Sequence, residues 1–270
     1  MSGRTMKPPM MRDEDREALG KVPAVTLGFW IIKVLATTLG ETGGDTVSMT
    51  MDLGYLVGTA IFLGILVVLA IWQIAAKRFR PLLYWATIIA STTAGTTMAD
   101  FATRSLGIGY AGGSALLFGC VLASLGAWYA ALGSVSVETV RTARAETFYW
   151  ITITFSQTLG TALGDWVADS GPGYGGAALI FGAALILLAA LYLGTRADRV
   201  LLFWAAFILT RPLGAAVGDF LDKPVADGGL EFSRPLASAL LAIVILVLIL
   251  VLPQRPGRHG DVGGTTPTSP

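Results

Sequence analysis

Four times along this chain an aromatic residue is followed by Trp, then by fourteen residues, then by Asp. The segments are "FWIIKVLATTLGETGGD" from Phe29, "YWATIIASTTAGTTMAD" from Tyr84, "YWITITFSQTLGTALGD" from Tyr149 and "FWAAFILTRPLGAAVGD" from Phe203. The frames pair Trp30 with Asp45, Trp85 with Asp100, Trp150 with Asp165 and Trp204 with Asp219. A constant frame in four copies means one structural unit used four times, and that restricts the fold more tightly than composition does. Successive tryptophans are 55, 65 and 54 residues apart, so repeats one and three are offset by 120 residues and repeats two and four by 119. This is the pattern of two halves with two repeats each.

Every repeat contains two apolar runs of roughly the 20 residues that cross a bilayer. The runs lie at about 24–43, 54–76, 81–99, 112–135, 147–164, 175–194, 199–218 and 234–252. Only 14% of the residues are charged, against about 25% in soluble domains. The expected fold is therefore all-α and polytopic, with eight transmembrane helices from four parallel two-helix repeats at about 24–76, 81–135, 147–194 and 199–252. A tail over 1–23 precedes the membrane domain of 24–252. A tail over 253–270, ending in "GRHGDVGGTTPTSP", reads as disordered.

Charge placement sets the expected orientation. Lys and Arg cluster in the N-terminal tail, at Lys77, Arg78 and Arg80, at Arg141 and Arg144, at Arg196 and Arg199, and at Arg255 and Arg258. The opposite loops hold only Arg104, Lys223 and Arg234. The positive-inside rule then puts both termini in the cytoplasm of an inner-membrane protein. No cleavable signal peptide is expected from the polar, mixed-charge first twenty residues.

Two helices per repeat return the chain to the same side, so all four signature helices run in one direction. Their Trp residues lie toward the cytoplasm, and their Asp residues about 22 Å further out. At about 100° per residue, positions 7, 8, 11 and 15 after Trp share one arc. They read Thr37, Thr38, Glu41 and Asp45; Thr92, Thr93, Thr96 and Asp100; Gln157, Thr158, Thr161 and Asp165; and Arg211, Pro212, Ala215 and Asp219. Positions 10 and 14 are small, Gly40 and Gly44, Gly95 and Ala99, Gly160 and Gly164, Gly214 and Gly218, a spacing that lets helix backbones approach closely. The expected assembly places the signature helices innermost around a polar axis, with the hydrocarbon-like even helices facing lipid.

On these four Trp–Asp frames the chain resembles a family of uncharacterised bacterial integral membrane proteins with four tandem two-helix repeats, each marked by a tryptophan. The resemblance covers about residues 24–252 and implies the architecture but little function. "GETGGDT" at 40–46 is also similar to the Glu-x-Gly-Asp signature of a family of manganese and calcium exporters, although here an extra glycine separates Glu41 from the Gly–Asp pair.

Aspartate within a membrane helix costs about 3 kcal/mol at the centre, so four in one frame point to an ion or proton site. Glu41 is the deepest carboxylate and the candidate for proton exchange. Arg211 lies mid-helix, eight residues (about 12 Å) from Asp219, and must find a partner across the axis, with Glu41 the expected one. Lys33 is expected to snorkel toward the cytoplasm. The tryptophans are expected as an interface belt, or alternatively as a vestibule that holds an organic cation. Tyr55, Tyr110 and Tyr174 are expected as outer anchors, and Pro212 as a kink.

The single histidine, His259, and the single cysteine, Cys120, cannot build zinc, copper, haem or iron–sulfur sites. A metal, if bound, would be a hard one on Asp45, Asp100, Asp165 and Asp219, such as Mn²⁺. No cofactor, nucleic acid or enzymatic constellation is expected. Five stripe carboxylates exceed Lys33 and Arg211 by three charges, which favours a transporter of a small cation, metal or proton-coupled. Its lining would be Glu41, the four Asp, Arg211, Gln157, Thr37, Thr92, Thr96 and Thr161. A non-transporting scaffold or channel-like protein, and an organic-cation efflux protein using the Trp ring, are the alternatives.

Overall fold

The computed structural model describes residues 19–258. The expectations for the N-terminal tail cations Arg4 to Arg16, for His259 and for the disordered tail from Gly260 lie outside the described residues.

Eight long helices account for nearly all of the described chain. They are α1 (Leu27–Asp45), α2 (Gly54–Ala75), α3 (Pro81–Asp100), α4 (Tyr110–Leu132), α5 (Ala143–Asp169), α6 (Gly173–Gly194), α7 (Arg199–Asp222) and α8 (Arg234–Val251). Short π-helical turns at Thr46–Thr50 and Phe101–Ser105 extend α1 and α3 beyond their Asp. A small antiparallel pair, β1 (Leu19–Pro23) with β2 (Pro256–Arg258), joins the two ends of the described chain.

Local chemistry sets the helix starts. Thr26 caps α1 by accepting from the Phe29 amide, Thr142 caps α5 by accepting from the Ala145 amide, and Asp198 caps α7 by accepting from the Leu201 amide. Each thereby satisfies an otherwise unpaired N–H of the first turn. Pro81 opens α3, where its missing N–H costs nothing. α7 continues through Pro212 as one helix to Asp222.

Five helices (α2, α4, α6, α7 and α8) are long and apolar enough to cross a membrane. The other three are the signature helices whose stripes carry Thr, Gln and carboxylates. With the exposed Leu, Ile and Val surface of the even helices, this makes the chain a membrane-embedded helical protein. α1, α3, α5 and α7 form the inner ring, in that cyclic order, with α7 closing on α1. The even helices sit outside, each packed chiefly on the signature helix of the next repeat: α2 on α3, α4 on α5, α6 on α7, and α8 back on α1. The repeats interlock around a ring instead of folding as separate hairpins.

Candidate functional site

The inner ring is built from contacts that recur around the axis. Position 10 of each signature helix faces position 7 of the next. Gly40 packs on Thr92, Gly95 on Gln157, Gly160 on Arg211 and Gly214 on Thr37. A β-carbon at Gly95 would lie 2.9 Å from the Gln157 backbone carbonyl carbon, so glycine is what permits the approach. One turn further, Gly44 faces Thr96, Gly164 faces Ala215 and Gly218 faces Glu41. The small positions are thus sockets for the stripe of the neighbouring helix.

The Trp end is closed by a second cyclic pattern. The aromatic residue before each Trp packs on the Trp of the next repeat: Phe29 on Trp85 (5.4 Å between ring centres), Tyr84 on Trp150 (5.8 Å), Tyr149 on Trp204 (6.4 Å) and Phe203 on Trp30 (5.8 Å). Trp85, Trp150 and Trp204 are buried, and Trp30 is half-buried. The Trp85 indole donates to Gln254 Oε1 at 3.2 Å and the Trp204 indole to the Val135 carbonyl at 2.9 Å. The interface-belt expectation is corrected here. The rings pack tilted or edge-on against one another because the preceding aromatic supplies each with a partner, and three of the four indoles are buried within the helix ring.

At the centre, Arg211 has no exposed surface. Its Nη2 donates to Glu41 Oε2 at 2.9 Å, to Thr96 Oγ1 at 2.6 Å and to Thr161 Oγ1. These partners come from α1, α3 and α5, so one guanidinium nitrogen ties all four signature helices together. Thr96 also donates to the Gly40 carbonyl at 3.0 Å, and Thr37 to the Thr210 carbonyl at 3.1 Å. Lys33 departs from expectation. It does not snorkel: it is fully buried, with Nζ 4.1 Å from the centre of the Phe207 ring. Inside the ring, the π face of Phe207 is its observed neighbour.

At the opposite end the four Asp side chains are buried at one level. Arg104 bridges Asp100 and Asp165, each at 3.1 Å, and Lys223 bridges Asp45 at 2.6 Å and Asp219 at 3.0 Å. Each cation stands four residues after the Asp of its own repeat and reaches the Asp of the next. Repeats two and four supply these cations, whereas one and three have Met49 and Asp169 in that frame. The Asp level is therefore twofold rather than fourfold. Burial works against the charge of Arg104, but Asp100 and Asp165 outweigh it and hold the guanidinium above the usual arginine range. Asp219, Asp45 and Asp222 likewise outweigh burial and hold the Lys223 ammonium above the usual lysine range. Arg234 adds a contact to Asp222 at 3.4 Å. Half-buried Tyr55 accepts a long hydrogen bond from Arg104 at 3.5 Å, while Tyr110 and Tyr174 open α4 and α6 half-buried.

Sequence reasoning placed Arg104, Lys223 and Arg234 in loops and missed them as members of this level. The signal lay in the repeat itself, since Arg104 and Lys223 share position 19 after Trp. Oxygens of Glu41, Asp45 and Asp100 come within 4.8 Å of one another, as do those of Asp45, Asp219 and Asp222. Those sets have the chemistry for a hard cation, but Arg211 and Lys223 already sit on them.

A family model for a repeat of unknown function, DUF347, matches the chain four times, over residues 28–79, 83–133, 148–198 and 202–254. This chain belongs to the DUF347 family. Each DUF347 repeat spans one signature helix and the even helix after it, so the family unit is the sequential pair and not the pair that packs together. No curated protein and no solved structure matches the chain. The arrangement of the DUF347 stripes is therefore read from this chain alone.

Proposed function

We propose that this protein is a membrane transporter that moves a small ion along the axis of the four stripes by exchanging axial ion pairs. The observation that carries this reading is the fully buried Arg211–Glu41 pair, 2.9 Å apart, at the point where all four stripes meet. Charged side chains at such depth are costly and mark ion paths or proton relays in helical membrane proteins. The packed aromatic ring and the Arg104 and Lys223 bridges then act as the two gates of an occluded state. The basic loops at the Trp end support, by the positive-inside rule, a cytoplasmic Trp end and cytoplasmic termini.

Charge favours a cation cargo less once the cations at the Asp end are counted. The cation preference rested on a surplus of three carboxylates, but Arg104, Lys223 and Arg234 reduce it: six carboxylates, Asp222 included, face five cations. The surplus of carboxylates therefore falls from three to one, and net charge favours a cation only weakly. Organic-cation efflux would require the indoles to leave the packing they have. A scaffold without transport is the second reading, favoured by the close sockets and by the pairing of every ring Asp with a cation.

Reconstitution of the full chain in liposomes carrying reporters for Mn²⁺, protons and chloride tests the proposal. Flux of one of these ions that is lost in Glu41→Gln and kept in Ala242→Leu supports transport. Well-folded protein without flux of any of them leaves the scaffold reading in place.

A further inference from the structure

Just toward the Trp end from the Arg211–Glu41 contact lies a group of buried polar atoms without hydrogen-bond partners. Among the described residues these are Lys33 Nζ, Arg211 Nε and Nη1, and both Nε2 and Oε1 of Gln157. All three residues have no exposed surface. Lys33 lies against α7, and Gln157 lies against Gly95 of α3 in the same frame of its repeat as Arg211. Lys33 Nζ, from α1, stands over Phe207, one turn before Arg211, while Arg211 lies against Gly160, one turn beyond Gln157 on α5. The buried hydroxyls of Thr92, Thr152 and Ser156 are also unpartnered.

Two imbalances stand out. Lys33, Arg211 Nε and Nη1 and Gln157 Nε2 are all donors, whereas Gln157 Oε1 is the only pure acceptor in the group. With Lys33 protonated, Lys33 and Arg211 carry two positive charges here, and Glu41 compensates one. Buried donors left unmade and a buried charge left unpaired both oppose folding, so native structures provide a partner. Water would satisfy donors but not the remaining charge. We propose that the axis holds one small monovalent anion, chloride or a carboxylate the size of formate, between Lys33, Gln157 and Arg211. One net charge asks for a monovalent ligand, and the packing of Gln157 and Arg211 side chains into glycine sockets asks for a small one. The site deepens the transporter reading and rests on it for the anion's role as cargo, while binding is measured without transport.

The test is thermal unfolding of the purified full chain in sodium chloride, sodium formate or sodium gluconate at one ionic strength. A ligand that binds only the folded state raises its stability with concentration. At about 100-fold above the dissociation constant, chloride or formate should raise Tm by several degrees over gluconate. Lys33→Met should abolish that rise and Lys33→Arg should retain it. In gluconate Lys33→Met should be at least as stable as the parent, because it lacks the unpaired charge, and the order should reverse in the binding anion. If Lys33→Met fails to fold, Gln157→Leu carries the same comparison. A rise in chloride alone or formate alone tells the inorganic ligand from the carboxylate. A parent Tm indifferent to the three salts, or a rise that survives both Lys33→Met and Gln157→Leu, overturns the site. Anion-dependent stability without flux removes the transporter reading and keeps the site, whereas flux without anion-dependent stability does the reverse.

Discussion

Gly160 and Gly214 are sockets, and the residues they receive, Arg211 and Thr37, are members of the axial stripe. A side chain at either glycine would have to push a whole helix away: a β-carbon at Gly214 would lie 2.8 Å from the Thr37 carbonyl carbon. Gly160→Leu and Gly214→Leu are expected to cost more than the roughly 1–3 kcal/mol of ordinary overpacking and to leave little monodisperse protein. Ala242→Leu on exposed α8 should stay within about 0.5 kcal/mol. Comparable yield and Tm for all three would mean that the sockets are not tight. The Arg211–Glu41 contact makes a second prediction. Removing one partner of such a pair costs about 3–5 kcal/mol because the other charge is left buried alone. Glu41→Gln and Arg211→Gln together should therefore cost less than the sum of the singles. A double-mutant cycle on unfolding that returned strict additivity would dissociate the two residues energetically. This pair was legible in the sequence because both residues are charged, share the stripe face and differ by one turn in depth. The fate of Lys33 was not. A long stem four residues nearer the helix start fits both snorkelling and burial, and only the facing Phe207 of α7 decides between them.

Ion pairing at the Asp end depends on where each signature helix stops. The π turn after α3 keeps Arg104 on the same face as Asp100, and α7 reaches Asp222 so that Lys223 falls four residues after Asp219. α1 and α5 receive those cations from their neighbours. Loss of either cation removes the bridge between two aspartates on different helices, with Arg234 still 3.9 Å from Asp45, but the two losses should differ. The Lys223 side chain is 9% exposed and that of Arg104 34%. Lys223→Met is expected to cost about 3–5 kcal/mol, and Arg104→Met, which removes the more solvent-screened of the two cations, about 1–2 kcal/mol. Unfolding of the two variants in the same detergent measures the difference, and equal costs would mean that solvent does not discriminate between the bridges. The Asp frame was plain from sequence. The cations were not, because Lys and Arg near helix ends serve topology as readily as pairing. Following the repeat four residues past Asp separates those roles, since Met49 and Asp169 interrupt the series and leave a twofold pattern.

At the scale of the whole molecule, parity and frame made the parallel ring readable: an even number of crossings per repeat allows four equivalent inward faces and no other sense of direction. The exchange of outer helices was hidden. α2, α4, α6 and α8 are predominantly apolar, with only scattered polar residues such as Gln73, Ser114, Ser124 and Ser238, so no polar stripe marks whether an even helix packs on its own repeat or on the next. The observed choice has a consequence for connectivity. α8 packs on α1, and β1 pairs with β2 so that Leu19 faces Arg258. Start and end of the described chain therefore meet at the Trp end, where the exposed 195–198 connection also lies. A ring closed in this way has no preferred first repeat. Joining Pro270 to Met1, with residues 259–270 and 1–18 as the connector, and opening the chain between Arg196 and Ala197 should give a permutant that begins with α7. It retains eight crossings and every ring contact, and both new ends stay on the original side. Its Tm is expected within about 5 °C of the parent, since the changes fall in connections and not in packed elements. Opening the chain at Asp52 instead places both ends at the Asp end and cuts the link beside Asp45, and that permutant should fail to insert or fold. If the Arg196 permutant fails as completely as the Asp52 one, the first repeat has a role that the closed ring does not account for.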